Sequence, residues 1–322
     1  MTRPLFVGGF PSGGTDLLKN ILNAHPAVYL NGEMPQLRML LRHGYSASST
    51  FRTREEVAAL SERLQRLDPW GNLEIRDADL VPDPTREGGQ ALSSVLYHLF
   101  SAKPREVWGN KTPQNTEHLA ELRALFPSAR FLIIVRDVRD VCLSWKNKWG
   151  KDVLWCADKW ARRMRLGMEY GAACGSSVIK FIRYEDLLID PEAVCRDVVD
   201  FLNLPFSENM LSYEEHVGTI VDGKINYGRP LIRDNFGKWR QGFAPATVRR
   251  IEEIAYGTMS LFDYTPEFAT AHHGLTRLER VRGTARDVVS TLTVGNRARR
   301  DNSLASRLWM LIYMLKKRTM HR

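Results

Sequence analysis

Residues 130–144 read RFLIIVRDVRDVCLS, and the fold class turns on them. Arg130-Phe131-Leu132-Ile133-Ile134-Val135 is a continuous, β-branched apolar run without polar alternation. That is the pattern of a strand buried on both faces of a parallel sheet. From Val138 onward the pattern turns helical, so a strand gives way to a helix across Arg136-Asp137. Open α/β sheets bind ligands beyond the carboxyl ends of their strands, which makes Arg136 a candidate anion-binding cation. Ser144, eight residues later, places a hydroxyl on the next helix. A plain structural reading also stands, in which Arg136 pairs with Asp137 or Asp140 and Ser144 merely lies on a helix.

The amino terminus repeats the theme. Leu5-Phe6-Val7 ends in Gly8-Gly9, and Leu17, Leu18, Ile21 and Leu22 follow at helical spacing. Between strand and helix, residues 8–15 fit G-x-x-x-x-G-x-T. Small residues let backbone N–H groups approach an anion, and the helix N-terminus adds a favourable dipole. Gly14 stands where a nucleoside-triphosphatase P-loop needs its lysine, so triphosphate hydrolysis is disfavoured while an anion site is not. Thr53-Arg54-Glu55-Glu56 is a capping box before Val57, Leu60 and Leu64. Leu92, Val95, Leu96 and Leu99 mark a helix, and Glu106-Val107-Trp108 reads as a brief strand. Leu119, Leu122 and Leu125 mark another helix, residues 178–182 a weaker strand, and Pro191 opens a helix through Val198 and Leu202. The alternation predicts an α/β, three-layer P-loop-like fold, with a central, mainly parallel sheet flanked by helices. Residues 216–237, rich in Gly and Asn, read as a long loop.

Composition bounds the rest. The chain has 322 residues, 43% hydrophobic and 26% charged, as in a globular protein with a core. No run reaches the ~20 apolar residues of a transmembrane helix. The opening MTRPLFVGG leads directly into a strand, so no secretory leader is expected. The net charge is +9, and residues 272–322, with twelve basic and three acidic side chains, account for all of it. The basicity is therefore local, and no specific nucleic-acid partner is expected. Domains are placed at 1–271, the α/β body, and 272–322, a basic helical extension. Cys142, Cys156, Cys174 and Cys195 lack metal-ligand spacing and are read as reduced thiols in a cytoplasmic protein. The segment LASRLWMLIYML at 304–315 is too short to span a bilayer. Two readings stand for it: a helix peripheral to an anionic membrane, or one packed on the body or on a second subunit of a homodimer.

Further segments carry a resemblance. VGGFPSGGTDLLKNILNAHP (7–26), NGEMP (31–35), NKTP (110–113), FPSARFLIIVRDVRDVCLSW (126–145), RYEDLLIDP (183–191) and GKWRQGF (237–243) resemble the sulfotransferases that use PAPS, 3′-phosphoadenosine 5′-phosphosulfate. The tyrosylprotein and Golgi-type branch is most similar, over about residues 5–245. The resemblance implies that the loop, with Ser12, Gly13, Gly14, Thr15 and Asp16, holds the 5′-phosphosulfate. It implies Arg136 and Ser144 on the 3′-phosphate, with Lys148, Tyr184 and Lys238 as further cofactor contacts. Glu33 matches the family's catalytic base and Lys111 its transition-state stabiliser, with no metal. A carboxylate can take the proton of an attacking hydroxyl, and a fixed lysine can steady charge growing on the sulfonyl and bridging oxygens.

The loop departs from the family pattern PRSGTT. It reads PSGGTD, losing a cation at Ser12 and gaining a carboxylate at Asp16. Loss of one preorganised donor can cost ~10²–10³ in rate, so Lys111 or Lys19 must compensate or activity is weak. The expected acceptor is a glycan or glycolipid hydroxyl, with Arg38, Arg42 and Trp70 as candidate lining groups. Two rivals are kept: a P-loop phosphotransferase or nucleotide kinase, and a catalytically impaired PAPS- or anion-binding protein.

Overall fold

A computed structural model of the chain describes residues 3–34, 37, 40, 44–66, 90–92, 96, 105–216, 218–221, 224–227 and 231–293. The chain forms two compact units. The first comprises Met1–Val135 and Leu166–Arg233, the second Arg136–Arg165 and Asp234–Arg322.

The first unit is built on five parallel strands in the order β2-β5-β1-β6-β7. They are β1 (Arg3–Gly9), β2 (Val28–Asn31), β5 (Val107–Lys111), β6 (Arg130–Val135) and β7 (Ile179–Arg183). β1 lies centrally, with Val7 opposite Lys111 of β5 and Leu132 of β6. As the apolar run predicts, residues 131–135 are at most 1% exposed. Parallel neighbours require crossovers, and helices α1 (Thr15–Asn23), α3 (Leu119–Leu125), α6 (Tyr184–Ile189) and α7 (Pro191–Leu202) lie between or beyond the strands. Phe6 packs its ring 5.6 Å from Phe126 and 6.0 Å from Phe131, and Trp108 meets Phe126 edge-on at 5.3 Å. Each such fully buried ring contributes roughly 1.5–3 kcal/mol. The expected α/β fold with a parallel sheet flanked by helices is the observed one.

Two local expectations need correction. The strand expected at residues 106–108 runs on through Lys111. Its glycine does not end it, because β1 passes so close that a Cβ on Gly109 would lie 1.8 Å from Leu5 O. The stretch 216–237 is not loop throughout: β8 (Gly218–Val221) and β9 (Lys224–Tyr227) pair antiparallel, just after the short helix α8 (Tyr213–His216). A second small pair joins β3 (Thr50–Phe51) to β4 (Gln90–Ala91). The capping box forms as read, opening α2 (Arg54–Arg66): Glu56 N–H donates to Thr53 Oγ1 at 3.2 Å, and Thr53 N–H donates to Glu56 Oε2 at 3.3 Å. Leu92 and Leu96 are helical and buried, while Val95, Leu99, Arg38, Arg42, Trp70 and residues 304–315 lie outside the described residues.

The second unit is helical. It contains α4 (Val138–Trp149), the start of α5 (Val153–Cys174), α9 (Trp239–Gly242), α10 (Pro245–Ser260) and α11 (Arg277–Thr293). Asp137 caps α4, accepting from Arg139 N–H at 2.8 Å. Arg139 then spans Asp137 (Nη2 to Oδ2, 2.7 Å) and Glu252 (Nη1 to Oε1, 2.7 Å), with its guanidinium 4.1 Å from the Trp239 ring centre. Lys159 donates to Asp287 at 2.7 Å, tying α11 to α5. All four cysteines are free thiols.

Candidate active site

Strand direction sets the site. In the first unit the loop after β1, Glu33 after β2, Lys111 closing β5 and Tyr184 after β7 all stand at carboxyl ends of the parallel strands. Strand order departs to either side of β1, so its loop lies where such sheets receive ligands.

In the first unit the loop is shaped by backbone conformation. Ser12 adopts φ 66° and Gly14 φ 95°, both left-handed, and Gly13 N–H donates to Phe10 O at 2.8 Å. Gly14 is the N-cap of α1 and supplies no side-chain acceptor, which leaves the first turn to other anions. A Cβ at Gly14 would lie 2.4 Å from Cδ2 of buried Tyr184, so the loop needs glycine for conformation and for space. Thr15 is buried, and Asp16 stands in the exposed first turn.

Lys111 reaches the same place from the sheet. Its side chain is 3% exposed, yet Nζ lies 2.7 Å from Asp16 Oδ1 and 3.1 Å from Glu33 Oε1. Asp16 is 74% exposed and Glu33 37%. Thr112 joins the two strand ends: its N–H donates to Val7 O at 3.0 Å, and its Oγ1 accepts from Met34 N–H at 2.9 Å. Burial opposes the Lys111 charge, but the Asp16 and Glu33 carboxylates outweigh it and hold the ammonium above the ordinary lysine value. Lys19, one turn after Asp16 on α1, is shifted downward, mainly by burial, with Asp16 pulling the other way. Lys111, Glu33, Asp16 and Lys19 thus form a two-cation, two-carboxylate cluster. A cavity of about 10 Å³ beside Met34, Thr112 and His118 has room for about one water, too little for an acceptor.

In the second unit, Arg136 acts electrostatically on Asp140 and also reaches the chain around Asn235. Its Nη2 donates to Asn235 O at 2.7 Å, and Lys238 Nζ donates to Asn235 Oδ1 at 2.9 Å. Asn235 therefore brings two of the expected cations together. Asp140, not expected to have a role of its own, accepts from Gly237 N–H at 2.6 Å and Trp239 N–H at 3.0 Å. Burial pushes the Asp140 carboxyl upward, against the pull of Arg136 and these donors. Ser144 is half-buried and Lys148 exposed, one turn apart on α4. The carboxylate that fastens 237–239 has one sequence sign, its place one helical turn after Arg136, and that sign names Arg136 and not the backbone of 237–239.

A glycine-bearing β1–α1 turn at the switch point of a parallel sheet places the chain among P-loop-like group-transfer folds. Comparison with known proteins narrows this. Residues 4–208 match the Sulfotransferase family, and the chain belongs to this family of PAPS-dependent sulfotransferases. Protein-tyrosine sulfotransferase A of Caenorhabditis elegans is 25% identical over 268 residues, covering 78% of this chain and 64% of that protein. Protein-tyrosine sulfotransferase 1 of Danio rerio is 24% identical over 290 residues, covering 84% and 74%. The chain thus spans less than two-thirds of the nematode relative. The sulfotransferase domain from the curacin biosynthetic pathway matches with TM-score 0.58 at 18% identity, over 83% of this chain and 99% of that one, a likeness of fold.

Proposed function

We propose that the chain transfers the sulfonyl group of PAPS to an acceptor hydroxyl, with Glu33 as base and Lys111 as the stabilising cation. The observation that carries this reading is Lys111: a buried, charged lysine at a strand end, 3.1 Å from Glu33 and beside the loop. A lysine fixed this way spends no reorganisation as charge develops on the transferring oxygens. Glu33 is open enough to meet an acceptor hydroxyl and close enough to Lys111 to share its field. The N–H groups at the start of α1 suit the phosphosulfate. Arg136, Ser144, Lys148 and Lys238 are proposed to serve the 3′-phosphate, and Tyr184 to border the loop.

For the acceptor, the names of the relatives favour a tyrosyl hydroxyl on a protein over the glycan or glycolipid expected from sequence. Labelled sulfonyl transfer from PAPS to tyrosyl peptides and to glycans, run side by side, tests this. Glu33→Gln should lose turnover while still binding 3′,5′-ADP. Retained turnover removes Glu33 as base, and transfer from ATP with Mg²⁺ in place of PAPS would replace the reading with the phosphotransferase.

A further inference from the structure

We propose that Asp16 is a positioning residue: it pairs with Lys111 at the end of β5 in the resting site, is exchanged for the incoming anion, and so sets cofactor affinity. The nature of that anion rests on the function proposed above, but the contact itself does not. Asp16 stands in the first turn of α1, at the positive end of the helix, where a bound anion is favoured. Its carboxylate already does what a ligand oxygen would do, meeting Lys111 Nζ at 2.7 Å.

The two partners differ in freedom. Lys111 closes a five-residue strand buried at every position, so its ammonium is held in place. Asp16 is 74% exposed, so water can take up its carboxylate as it leaves Lys111. Two carboxylates share one ammonium here, so a phosphosulfate entering the loop meets a lysine already neutralised. Like charges a few ångströms apart repel, and the exposed carboxylate yields before Glu33, which is half as exposed. Among the described residues, the charged groups that act on Lys111 include Asp16 and Lys19 on α1 and Glu33 after β2. Without the Asp16 charge, burial acts on Lys111 with one opponent fewer, and its titration moves to lower pH.

Asp16→Asn keeps the shape and removes the charge, and Asp16→Glu restores the charge. Calorimetric titration with 3′,5′-ADP should show Asp16→Asn binding on the order of tenfold tighter, with Asp16→Glu near the parent. The ligand-free protein supplies a second reading. A lysine titrating above 10.5 in the fold gives stability that is complete below 10.5 and lost as pH rises through the folded value. The alkaline fall in Tm should therefore begin at lower pH in Asp16→Asn, and Asp16→Glu should reverse it. Equal or weaker 3′,5′-ADP binding by Asp16→Asn overturns the exchange, whatever the alkaline profile shows. Binding by neither protein overturns the PAPS reading and the exchange with it, while the alkaline profile still decides whether Asp16 acts on Lys111.

Discussion

Two charge clusters, one in each unit, use the same chemistry for opposite ends. In the second unit Glu252 is 0% exposed and every oxygen is engaged: Oε1 takes Arg139 and Glu267 N–H, and Oε2 takes Phe268 and Ala269 N–H at 2.8 and 3.0 Å. Arg139 is closed between Asp137, Glu252 and the Trp239 ring. In the first unit Lys111 is equally buried, but its carboxylates face outward. A closed cluster can only hold structure, since any change leaves a buried charge uncompensated. An open one can trade partners. The difference lies in the exposure of the carboxylates and not in the strength of the contacts, which are 2.7 Å in both.

Substitutions separate the two clusters. Glu252→Ala should cost about 3–5 kcal/mol of stability, the expense of an opened buried pair, read from the denaturant midpoint. A loss below about 1 kcal/mol would mean the second cluster is not closed. Lys111→Met should lower turnover ~10²–10³-fold, about 3–4 kcal/mol of transition-state stabilisation, with a smaller loss of stability than Glu252→Ala. A large loss of stability would make the first cluster structural too. Gly14→Ala should cost about 1–3 kcal/mol, because φ 95° is strained for alanine and its Cβ meets Tyr184 at 2.4 Å; Tm checks this. A third pair tests the sign of a surface-near charge. Arg250, first of all, and then Thr276 hold Glu279 down to about 2 from its ordinary 4.5. Its stability is present above pH 4.5 and lost as pH falls toward 2, so Glu279→Gln should flatten the acid limb of a stability–pH curve. The smallest effect expected is about 1 kcal/mol for Thr53→Ala at the α2 capping box.

The fold was legible where one physical signal dominated. Residues 131–135 have no polar position, so a two-sided burial was the only economical reading, and the capping box at Thr53 and Glu56 names both of its partners by spacing. Gly109 misled because glycine weakens a strand in general, and only the closeness of Leu5 O explains it here. The β8–β9 pair was missed although Asp222-Gly223 between two β-branched runs is a hairpin signal; the Gly and Asn content of the wider stretch outweighed it. The site was legible as residue types at strand ends. Its wiring was not: nothing in the spacing of Asp16 and Lys111, ninety-five residues apart, foretells a 2.7 Å contact, and nothing in Asp140 foretells the backbone it fastens.

The order of the chain has a consequence for how the protein is made. β6, with its five almost fully covered apolar residues, is complete by Val135, but its outer neighbour β7 begins at Ile179. Between them the chain departs to start the second unit and returns at Leu166. At ~5–20 residues per second on the ribosome, the outer edge of β6 waits for several seconds without its partner. An apolar strand edge left open is a template for pairing with other chains. A strand that is almost fully covered in the finished protein is thus an aggregation-prone segment of the nascent one, and soluble yield should depend on synthesis rate and chaperone supply.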